Sequence, residues 1–178
     1  YFDGSGTFAA ETNEGVPCVW ASDIELDGAG CAHFSLHFPG EAKALTCELG
    51  LRGVHNVSNA SAVAALAWQA GVDPARIAEA LKASAPEAGR QEILQGKGDI
   101  TIINDAYNAN PDSMRASLAM FSALNVKHKR YAVLGDMGEL GSFAEACHEA
   151  VGTFAATQKL DYLICVGELA RSIARGAL

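Results

Sequence analysis

The amino-acid sequence predicts an α/β fold: an antiparallel β-layer with two helices, followed by a Rossmann-like parallel α/β domain. The first observation is that apolar and polar side chains alternate over residues 31–38, as in a strand with one buried face. The second is that strand-like and helix-like segments alternate from residue 92 onward, which is the order of βαβ units. Between these halves, residues 84–89 (SAPEAG) combine proline, glycine and small side chains, which is typical of a linker. We therefore expect two domains, residues 1–88 and 89–178.

Composition and charge exclude several classes of protein. Of the 178 residues, 49% are hydrophobic and 19% are charged, which is typical of a globular chain and not of a disordered one. No apolar run approaches the length needed to span a membrane, so no membrane association is expected. The net charge of −8 gives no support to nucleic-acid binding. Five scattered cysteines, an odd number, predict reduced thiols and a cytoplasmic location.

Three strands are expected in the β-layer, around Val19–Leu26, residues 31–38 and Ala42–Leu49. Asp27-Gly28 is a favoured hairpin turn between the first two strands. The apolar side chains of the second strand form one face: Ala32, Phe34, Leu36 and Phe38. His33 and His37 lie on the opposite face. Surface histidines are favoured there over a metal-binding pair, because the pattern supplies no carboxylate or cysteine partner.

A helix of about four turns is expected over His55–Gly71, where the hydrophobic period changes from that of a strand. Asn56 and Asn59 lie one turn apart on one face of this helix, at the head of an apolar stripe. The stripe continues through Val63, Leu66 and Ala70. Two interpretations remain open: Asn56 caps the helix while Asn59 bonds a neighbouring loop, or the two amides contact a ligand. Asp73 and Pro74, as N-cap and N1, predict a second short helix.

The second half is expected to contain strands at residues 92–94, 100–103, 131–134 and 162–166, with helices after the last three. This order predicts a parallel sheet with right-handed crossovers. Ile100–Ile103 is rich in β-branched side chains, which is typical of a strand buried on both faces. Polar residues that follow such strands gather at the edge where α/β proteins bind ligands. These residues are Asp105, Tyr107, Asp136, Glu139 and Glu168.

Other residues of this half carry more local predictions. Asn110 suits an N-cap and Pro111 the first position of a helix. Arg90, directly after the linker, could reach a phosphate in a forked geometry. The glycines of the loop at residues 135–141 are three apart and do not match a dinucleotide fingerprint, so NAD binding is rejected. His148 is expected to be packed or at the surface, because no nucleophile with a plausible partner is visible.

Four stretches, in this order, resemble the Mur ligases, the amide ligases of peptidoglycan synthesis. They are GVHNVSNASAVAALA (residues 53–67), Gly89-Arg90, NDAYNANPDSM (residues 104–114) and VLGDMGELG (residues 133–141). The resemblance implies that the chain is the last part of a central ATP-binding domain joined to most of a C-terminal Rossmann-like ligase domain. It also implies an ATP-dependent ligase that adds D-alanyl-D-alanine to UDP-N-acetylmuramoyl-tripeptide through an acyl phosphate. The implied parent enzyme is a cytoplasmic monomer.

The resemblance also implies a role for each matching residue. Asn56 and Asn59 would approach the adenine of ATP, Arg90 a phosphate and Asp105 the ribose hydroxyls. Tyr107 and Asn108 would complete the nucleotide side of the site. The residues implied on the side of the incoming substrate are Asn110, Ser113 and Asp136. Acyl-phosphate formation needs positioning and charge neutralisation more than a protein nucleophile, which agrees with this set of residues.

The sequence departs from the family pattern in ways that limit its expected activity. It contains no G-x-x-x-x-G-K-[ST] phosphate-binding loop. The chain starts at Tyr1 without an initiator methionine, so we expect it to be a piece of a longer protein. The family's modified lysine, its magnesium ligands and its UDP-sugar domain would then precede Tyr1. We expect no catalytic residue and no metal ligand in this stretch, and no ligase activity from the isolated chain.

Two other functions stay open from the residues alone. The first is a non-catalytic α/β module that binds a nucleotide or a peptide. The second is another amide ligase of the same superfamily, such as a folylpolyglutamate synthase, which the YNANP sequence of residues 107–111 disfavours. A phosphate-binding loop in an upstream segment would favour either ligase over the binding module.

Overall fold

The computed structural model describes residues 2–3 and 17–178 of the chain. These residues belong to two compact units, Tyr1–Pro86 and Glu87–Leu178, whose boundary falls inside the linker-like segment 84–89. Within the described residues, no helix is both long enough and apolar enough to cross a bilayer. The part of the predicted β-layer in residues 4–16 lies outside the described residues.

The first unit contains a four-stranded sheet in the order β1-β2-β3-β4. The strands are β1 (Phe2–Asp3), β2 (Val19–Leu26), β3 (Cys31–His37) and β4 (Leu45–Arg52). The antiparallel prediction is confirmed for β2, β3 and β4, whereas β1 runs parallel to β2. The alternation in β3 has the predicted sense, because Ala32, Phe34 and Leu36 are all at most 2% exposed. The fourth strand begins three residues later than expected, at Leu45.

Two helices pack against this sheet: α1 (His55–Gln69) and α2 (Pro74–Lys82). Asp73 caps α2 as predicted, since its Oδ1 accepts a hydrogen bond from the Ala75 N–H at 2.9 Å. The apolar stripe of α1 does not pack on the sheet, because Val63 and Leu66 are 57% and 74% exposed. The face that packs on the sheet consists instead of Val57, Ala60, Ser61 and Ala64. The small side chains of this face allow α1 to approach the sheet closely. The spacing of the hydrophobic residues did not indicate this face.

The second unit contains two strand pairs and three helices. The first pair is β5 (Glu92–Gln95) with β6 (Thr101–Asn104), and the second is β7 (Tyr131–Gly135) with β8 (Tyr162–Val166). The helices are α3 (Pro111–Ala123), α4 (Ala144–Ala156) and α5 (Ala170–Ala177), with a short 3₁₀ turn at Gly141–Phe143 before α4. Strands β7 and β8 pair in parallel, with Tyr131 opposite Tyr162, which agrees with the predicted α/β order.

The prediction for Ile100–Ile103 is wrong in two respects. Strand β6 pairs antiparallel with β5 and, among the described strands, has no ladder with β7 or β8. It is also not buried on both faces, because Ile100 and Ile102 are 59% and 46% exposed. The reason lies in the five-residue turn between the strands, where Gly98 takes a φ of +67° and the Gly96 N–H donates to the Ile100 carbonyl. A local hairpin of this kind forms from the same β-branched residues that a buried parallel strand would use.

The core of the second unit lies between the β7–β8 pair and the helices. Its fully buried members include Val151 of α4 and Ile173 of α5. The other side of the pair is solvent-exposed and apolar, and Tyr131 and Tyr162 stack there with ring centroids 4.7 Å apart. Helices α4 and α5 approach closely at Gly152, where an added Cβ would lie 2.8 Å from the carbonyl carbon of Ile173 and nearer still to its oxygen.

Candidate functional site

The amide pair Asn56 and Asn59 lies at the first turn of α1. Asn56 Nδ2 donates to the Arg52 carbonyl oxygen at 2.7 Å, and Asn59 Nδ2 donates to Asn56 Oδ1 at 3.0 Å. The capping interpretation of Asn56 is therefore wrong: the N-cap residue is Val54, which makes no side-chain capping bond. Asn59 bonds its neighbour rather than a loop. Among residues 17–178 no hydrogen bond reaches Asn59 Oδ1, so the pair presents an oriented acceptor at the surface of the first unit.

A hollow of about 320 Å³ lies beside this amide pair, between α1, α2 and β4. Most of its lining is apolar, including Leu51, Val63 and Ile77, while Asn56, Asn59, Arg76 and Ser84 supply the polar side chains. Pockets of this kind bury an apolar or aromatic body and orient it through a few polar groups. The apolar wall can contact the face of a flat heterocycle, and the exposed amide can hydrogen-bond to its edge.

In the second unit, Arg90 is held at the apex of a tight turn. The residues on either side of it both take left-handed backbone angles, with φ of +74° at Gly89 and +53° at Gln91. The Arg90 guanidinium carbon lies 4.0 Å from the centroid of the Tyr107 ring, within cation–π range. Tyr107 is 68% exposed, so this charged and aromatic pair faces solvent.

Two hydrogen bonds join the Arg90 turn directly to the loop that follows β6, and two more link it through Glu92 to the last residue of β6. The Gln91 N–H donates to Asp105 Oδ1 at 3.1 Å, and the Tyr107 N–H donates to the Gly89 carbonyl at 3.0 Å. The Gly89 N–H donates to Glu92 Oε2 at 3.0 Å, and the same oxygen accepts from Asn104 Nδ2 at 3.1 Å. Arg90, Asp105 and Tyr107, predicted as separate site residues, thus lie in one cluster of this unit.

The sequence analysis missed Glu92 and Asn104 as members of this cluster. Glu92 is the first residue of β5 and Asn104 the last of β6, and the two are directly opposite in the ladder. The sequence indicates these two residues only if the two strands are paired as a hairpin. Once 92–95 is set antiparallel to 101–104, the acid and the amide become cross-strand neighbours.

The next polar residues of the loop are engaged in local bonds. Asn108 Oδ1 accepts from the Ala109 N–H at 2.9 Å. Asn110 caps α3, as the sequence predicts: its Oδ1 accepts from the Ser113 N–H at 2.8 Å, and Ser113 Oγ accepts from the Asn110 N–H at 3.1 Å. This reciprocal capping box defines where α3 begins. Asn110 and Ser113 therefore have a structural task at the position where the family resemblance places the incoming substrate.

Asp136 holds the turn between β8 and α5. Its Oδ1 accepts from the Ala170 N–H at 2.7 Å and its Oδ2 from the Glu168 N–H at 3.2 Å. The neighbouring Gly167 has a φ of +126°, and an added Cβ there would clash with this carboxylate. Both oxygens of Asp136 thus stabilise the N-terminal end of a helix, where a negative charge is favourable.

His148 is fully buried on α4 and both of its ring nitrogens are engaged. Nε2 accepts from the Met137 N–H at 2.8 Å, so Nδ1 carries the hydrogen that reaches the Ala144 carbonyl at 2.6 Å. The expectation of a packed histidine is confirmed. Its side chain ties the loop after β7 to α4.

The two histidines of β3 have separate local partners. His33 Nε2 lies 3.8 Å from an oxygen of Asp27. His37 stacks on Trp20 with ring centroids 3.6 Å apart, and its Nε2 is 2.9 Å from Ser22 Oγ. Within the described residues, no group of three or more His, Cys, Asp or Glu side chains is placed to hold a metal ion.

Comparison with known proteins places this geometry in a family. The sequence matches the family described as "Mur ligase, glutamate ligase domain" over residues 89–178, half of the chain. The chain belongs to the Mur ligase family. It is 38% identical over 154 residues to the UDP-N-acetylmuramoyl-tripeptide–D-alanyl-D-alanine ligase of Mycobacterium tuberculosis strain H37Rv, a match that covers 84% of this chain and 30% of that protein.

Two solved structures have a similar fold. The crystal structure of MurF from Acinetobacter baumannii is 35% identical, with a TM-score of 0.80, and the match covers 89% of this chain and 34% of that one. MurF from Thermotoga maritima, solved in complex with ADP, is 21% identical, with a TM-score of 0.67, over 88% of this chain and 37% of that one. The predicted α/β fold class is confirmed. The chain spans about a third of the length of these relatives.

Proposed function

We propose that this chain is part of an ATP-dependent ligase that joins D-alanyl-D-alanine to UDP-N-acetylmuramoyl-tripeptide. Residues 1–88 would form the end of its central ATP-binding domain, and residues 89–178 most of its C-terminal ligase domain. A relative that carries this activity by name, at 38% identity, supports the reaction. The observation in the chain itself that supports it is the cluster of Arg90, Asp105 and Tyr107, which presents a cation, a carboxylate and an aromatic ring together.

The proposed reaction needs its reactants held in place and their negative charge neutralised. A carboxylate oxygen of the tripeptide attacks the γ-phosphorus of ATP, and ADP leaves. The amine of the dipeptide then attacks the acyl carbon of the resulting acyl phosphate, inorganic phosphate leaves, and the amine gives up a proton. No side chain of the chain forms a covalent bond in either step. Its contribution is orientation and electrostatic stabilisation.

Each residue of the chain has a task that suits its chemistry. Arg90 is always charged and presents a planar fork of donors, which matches a phosphate. Asp105 can accept hydrogen bonds from ribose hydroxyls with the oxygen that Gln91 does not use. Asn56 and Asn59 can meet the edge of a purine, with the apolar hollow beside them for its ring. Tyr107 and Asn108 would flank the nucleotide.

The remaining residues of the proposed site would lie on the side of the incoming dipeptide. Asn110 and Ser113 would border the incoming dipeptide while they cap α3. The substrate role of Asp136 stays a prediction that its geometry does not favour, since both of its oxygens already accept backbone hydrogen bonds. Magnesium would accompany ATP, as the resemblance implies, and the described residues offer no cluster of His, Cys, Asp or Glu ligands for it. A cytoplasmic, monomeric parent belongs to the same proposal. The cytoplasmic location is supported by the five cysteines, which form no disulfide with one another.

The test is phosphate release by the full-length protein that carries this sequence, supplied with Mg-ATP, UDP-N-acetylmuramoyl-tripeptide and D-alanyl-D-alanine. Arg90→Ala is expected to lower kcat/KM by about 10- to 100-fold, the loss typical of a hydrogen bond to a charged group. Arg171→Ala is the matched control, because Arg171 is exposed on α5, away from the cluster. The isolated 178-residue chain is expected to release no phosphate. Dipeptide-dependent turnover by that chain, or full activity of Arg90→Ala, would contradict the proposal.

A further inference from the structure

Glu92 joins two segments of the second unit through a single oxygen. Its Oε2 accepts hydrogen bonds from the Gly89 N–H at 3.0 Å and from Asn104 Nδ2 at 3.1 Å. The first donor is the residue before Arg90, and the second is the residue before Asp105. The side chain is half-buried, at the paired ends of β5 and β6. Glu92 thus binds the residue that precedes each of the two charged residues of the cluster.

The backbone at Arg90 needs such support. Gln91 is a non-glycine residue with a φ of +53°, a conformation that costs on the order of 1–2 kcal/mol for an L-residue. A turn of this kind persists only when its surroundings hold it. Here the Gln91 N–H is bound by Asp105 on one side, and the Gly89 N–H by Glu92 on the other. Two carboxylates therefore clamp the turn that carries Arg90.

The same bonds determine where Asp105 can lie. Asn104 is anchored through its Nδ2 to Glu92, and its Oδ1 is 3.4 Å from the Ala106 N–H. Asp105, between the two, directs its Oδ1 to the Gln91 N–H at 3.1 Å. Removal of the Glu92 carboxylate would free the Gly89 N–H and the Asn104 amide at once. The positions of Arg90 and Asp105 would then depend on the Gln91–Asp105 and Tyr107–Gly89 hydrogen bonds alone.

We propose that Glu92 and Asn104 are positioning residues, which preset the guanidinium of Arg90 and the carboxylate of Asp105 for a nucleotide. The two would act together, because they share one hydrogen bond and each orients one of the two contact residues. A nucleoside di- or triphosphate is the matching ligand class, since it offers phosphate oxygens to the cation and ribose hydroxyls to the carboxylate. The ligand in this inference rests on the proposed function, whereas the positioning itself is a property of the chain.

The first experiment measures the placement of Arg90 by NMR in the 178-residue chain. Protons of Arg90 that lie over the Tyr107 ring are shifted upfield by its ring current, and Tyr107→Leu identifies that shift. Glu92→Ala is expected to abolish most of the shift. Glu92→Gln should keep most of it, because its amide oxygen can still accept both hydrogen bonds. Asp99→Asn, which removes a charge at the exposed turn of the same hairpin, should leave it unchanged.

The second experiment measures the consequence in the full-length ligase. Glu92→Ala and Asn104→Ala are each expected to raise the KM for ATP roughly tenfold with a smaller change in kcat, and the double variant to be little worse than either. If circular dichroism shows that Glu92→Ala does not fold, the KM of Asn104→Ala decides the test. The Asn104→Ala variant leaves the Gly89–Glu92 hydrogen bond in place. Glu92→Gln should restore KM.

The outcomes separate the two proposals. A folded Glu92→Ala chain that keeps the ring-current shift overturns the positioning role. Loss of the shift with an unchanged KM overturns its role toward the nucleotide. A wild-type protein without ligase activity would contradict the proposed function. The NMR result would still decide whether Glu92 positions Arg90.

Discussion

Gly152 allows the sharpest prediction about stability, because two effects of opposite sign compete there. In an open helix, replacing glycine by alanine stabilises by about 1 kcal/mol through helix propensity. Here an added Cβ would clash with the backbone carbonyl of Ile173, lying 2.8 Å from its carbon and closer to its oxygen. The obstacle is backbone, so no rotation of a side chain can relieve it. Helix α5 would have to move as a whole.

The magnitude follows from what that movement disturbs. Ile173 and Ala170 are both fully buried, and the Ala170 N–H also donates the capping hydrogen bond to Asp136 Oδ1. Overpacking of this kind typically costs about 1–3 kcal/mol, and the upper end applies where backbone must shift. Against the propensity gain, Gly152→Ala should therefore destabilise the second unit by about 2 kcal/mol. For a unit of this size, that corresponds to a fall in Tm of roughly 8–16 °C.

The two tryptophans, Trp20 and Trp68, both lie in the first unit, which makes the assay selective. Urea unfolding followed by far-UV circular dichroism should show the loss in Gly152→Ala, while the tryptophan fluorescence transition stays near the wild-type midpoint. Ala146→Gly, at an exposed site of the same helix, measures the propensity effect alone and should cost about 1 kcal/mol. If Gly152→Ala equals or exceeds wild-type stability, the close packing of α4 on α5 is refuted.

Three further predictions concern individual side chains. Burial raises the pKa of the Cys47 thiol to about 11. Iodoacetamide at pH 8 should therefore label Cys47 only after unfolding, as measured by mass spectrometry. Labelling in the folded chain would contradict the burial of Cys47. Burial lowers the pKa of His37, so the unfolded chain binds the proton first as pH falls below about 6.5, and stability should decrease from pH 7 toward pH 5. His37→Phe, which can still stack on Trp20, should show a smaller decrease by tryptophan fluorescence in urea. Asn110→Ala should cost about 1 kcal/mol of stability by circular dichroism, and Asn110→Ser much less, because serine can still cap α3; equal losses would argue against the cap.

Local features of the fold were predictable because their causes lie within a few residues. The Asn110–Pro111 start of α3 follows from capping chemistry that needs no tertiary contact. The alternation through Phe34 and Leu36 follows from the two-residue repeat of a strand. Residues 144–156 form the helix expected after the strand at residues 131–134.

Pairing partners were not predictable in the same way. Ile102 suits a buried parallel strand and an exposed hairpin equally well, so its local sequence does not decide between them. The face that α1 turns toward the sheet was missed for a related reason. Leu66 is more hydrophobic than Ala60 or Ser61, yet the smaller side chains pack because the sheet lies so close. Packing distance is a tertiary quantity, and hydrophobicity alone does not measure it.

The candidate site was predictable in its members and not in their arrangement. Arg90, Asp105 and Tyr107 followed from the family resemblance, and the structure adds the hydrogen bonds that join them. Glu92 escaped notice because it contacts nothing near in sequence except Gly89. Its partner Asn104 is twelve residues away, across a hairpin that the sequence did not predict.

The contact between Arg90 and Tyr107 has a thermodynamic consequence for any anion that binds there. A free arginine side chain carries about 2 kcal/mol of rotamer entropy, which a ligand must normally overcome as it immobilises the guanidinium. In this chain, folding has already placed the guanidinium carbon over the ring, 4.0 Å from its centroid. A guanidinium held over a ring can still donate from its N–H groups. Calorimetry should then report a smaller entropic penalty for the wild-type chain than for Tyr107→Leu, at a similar binding enthalpy.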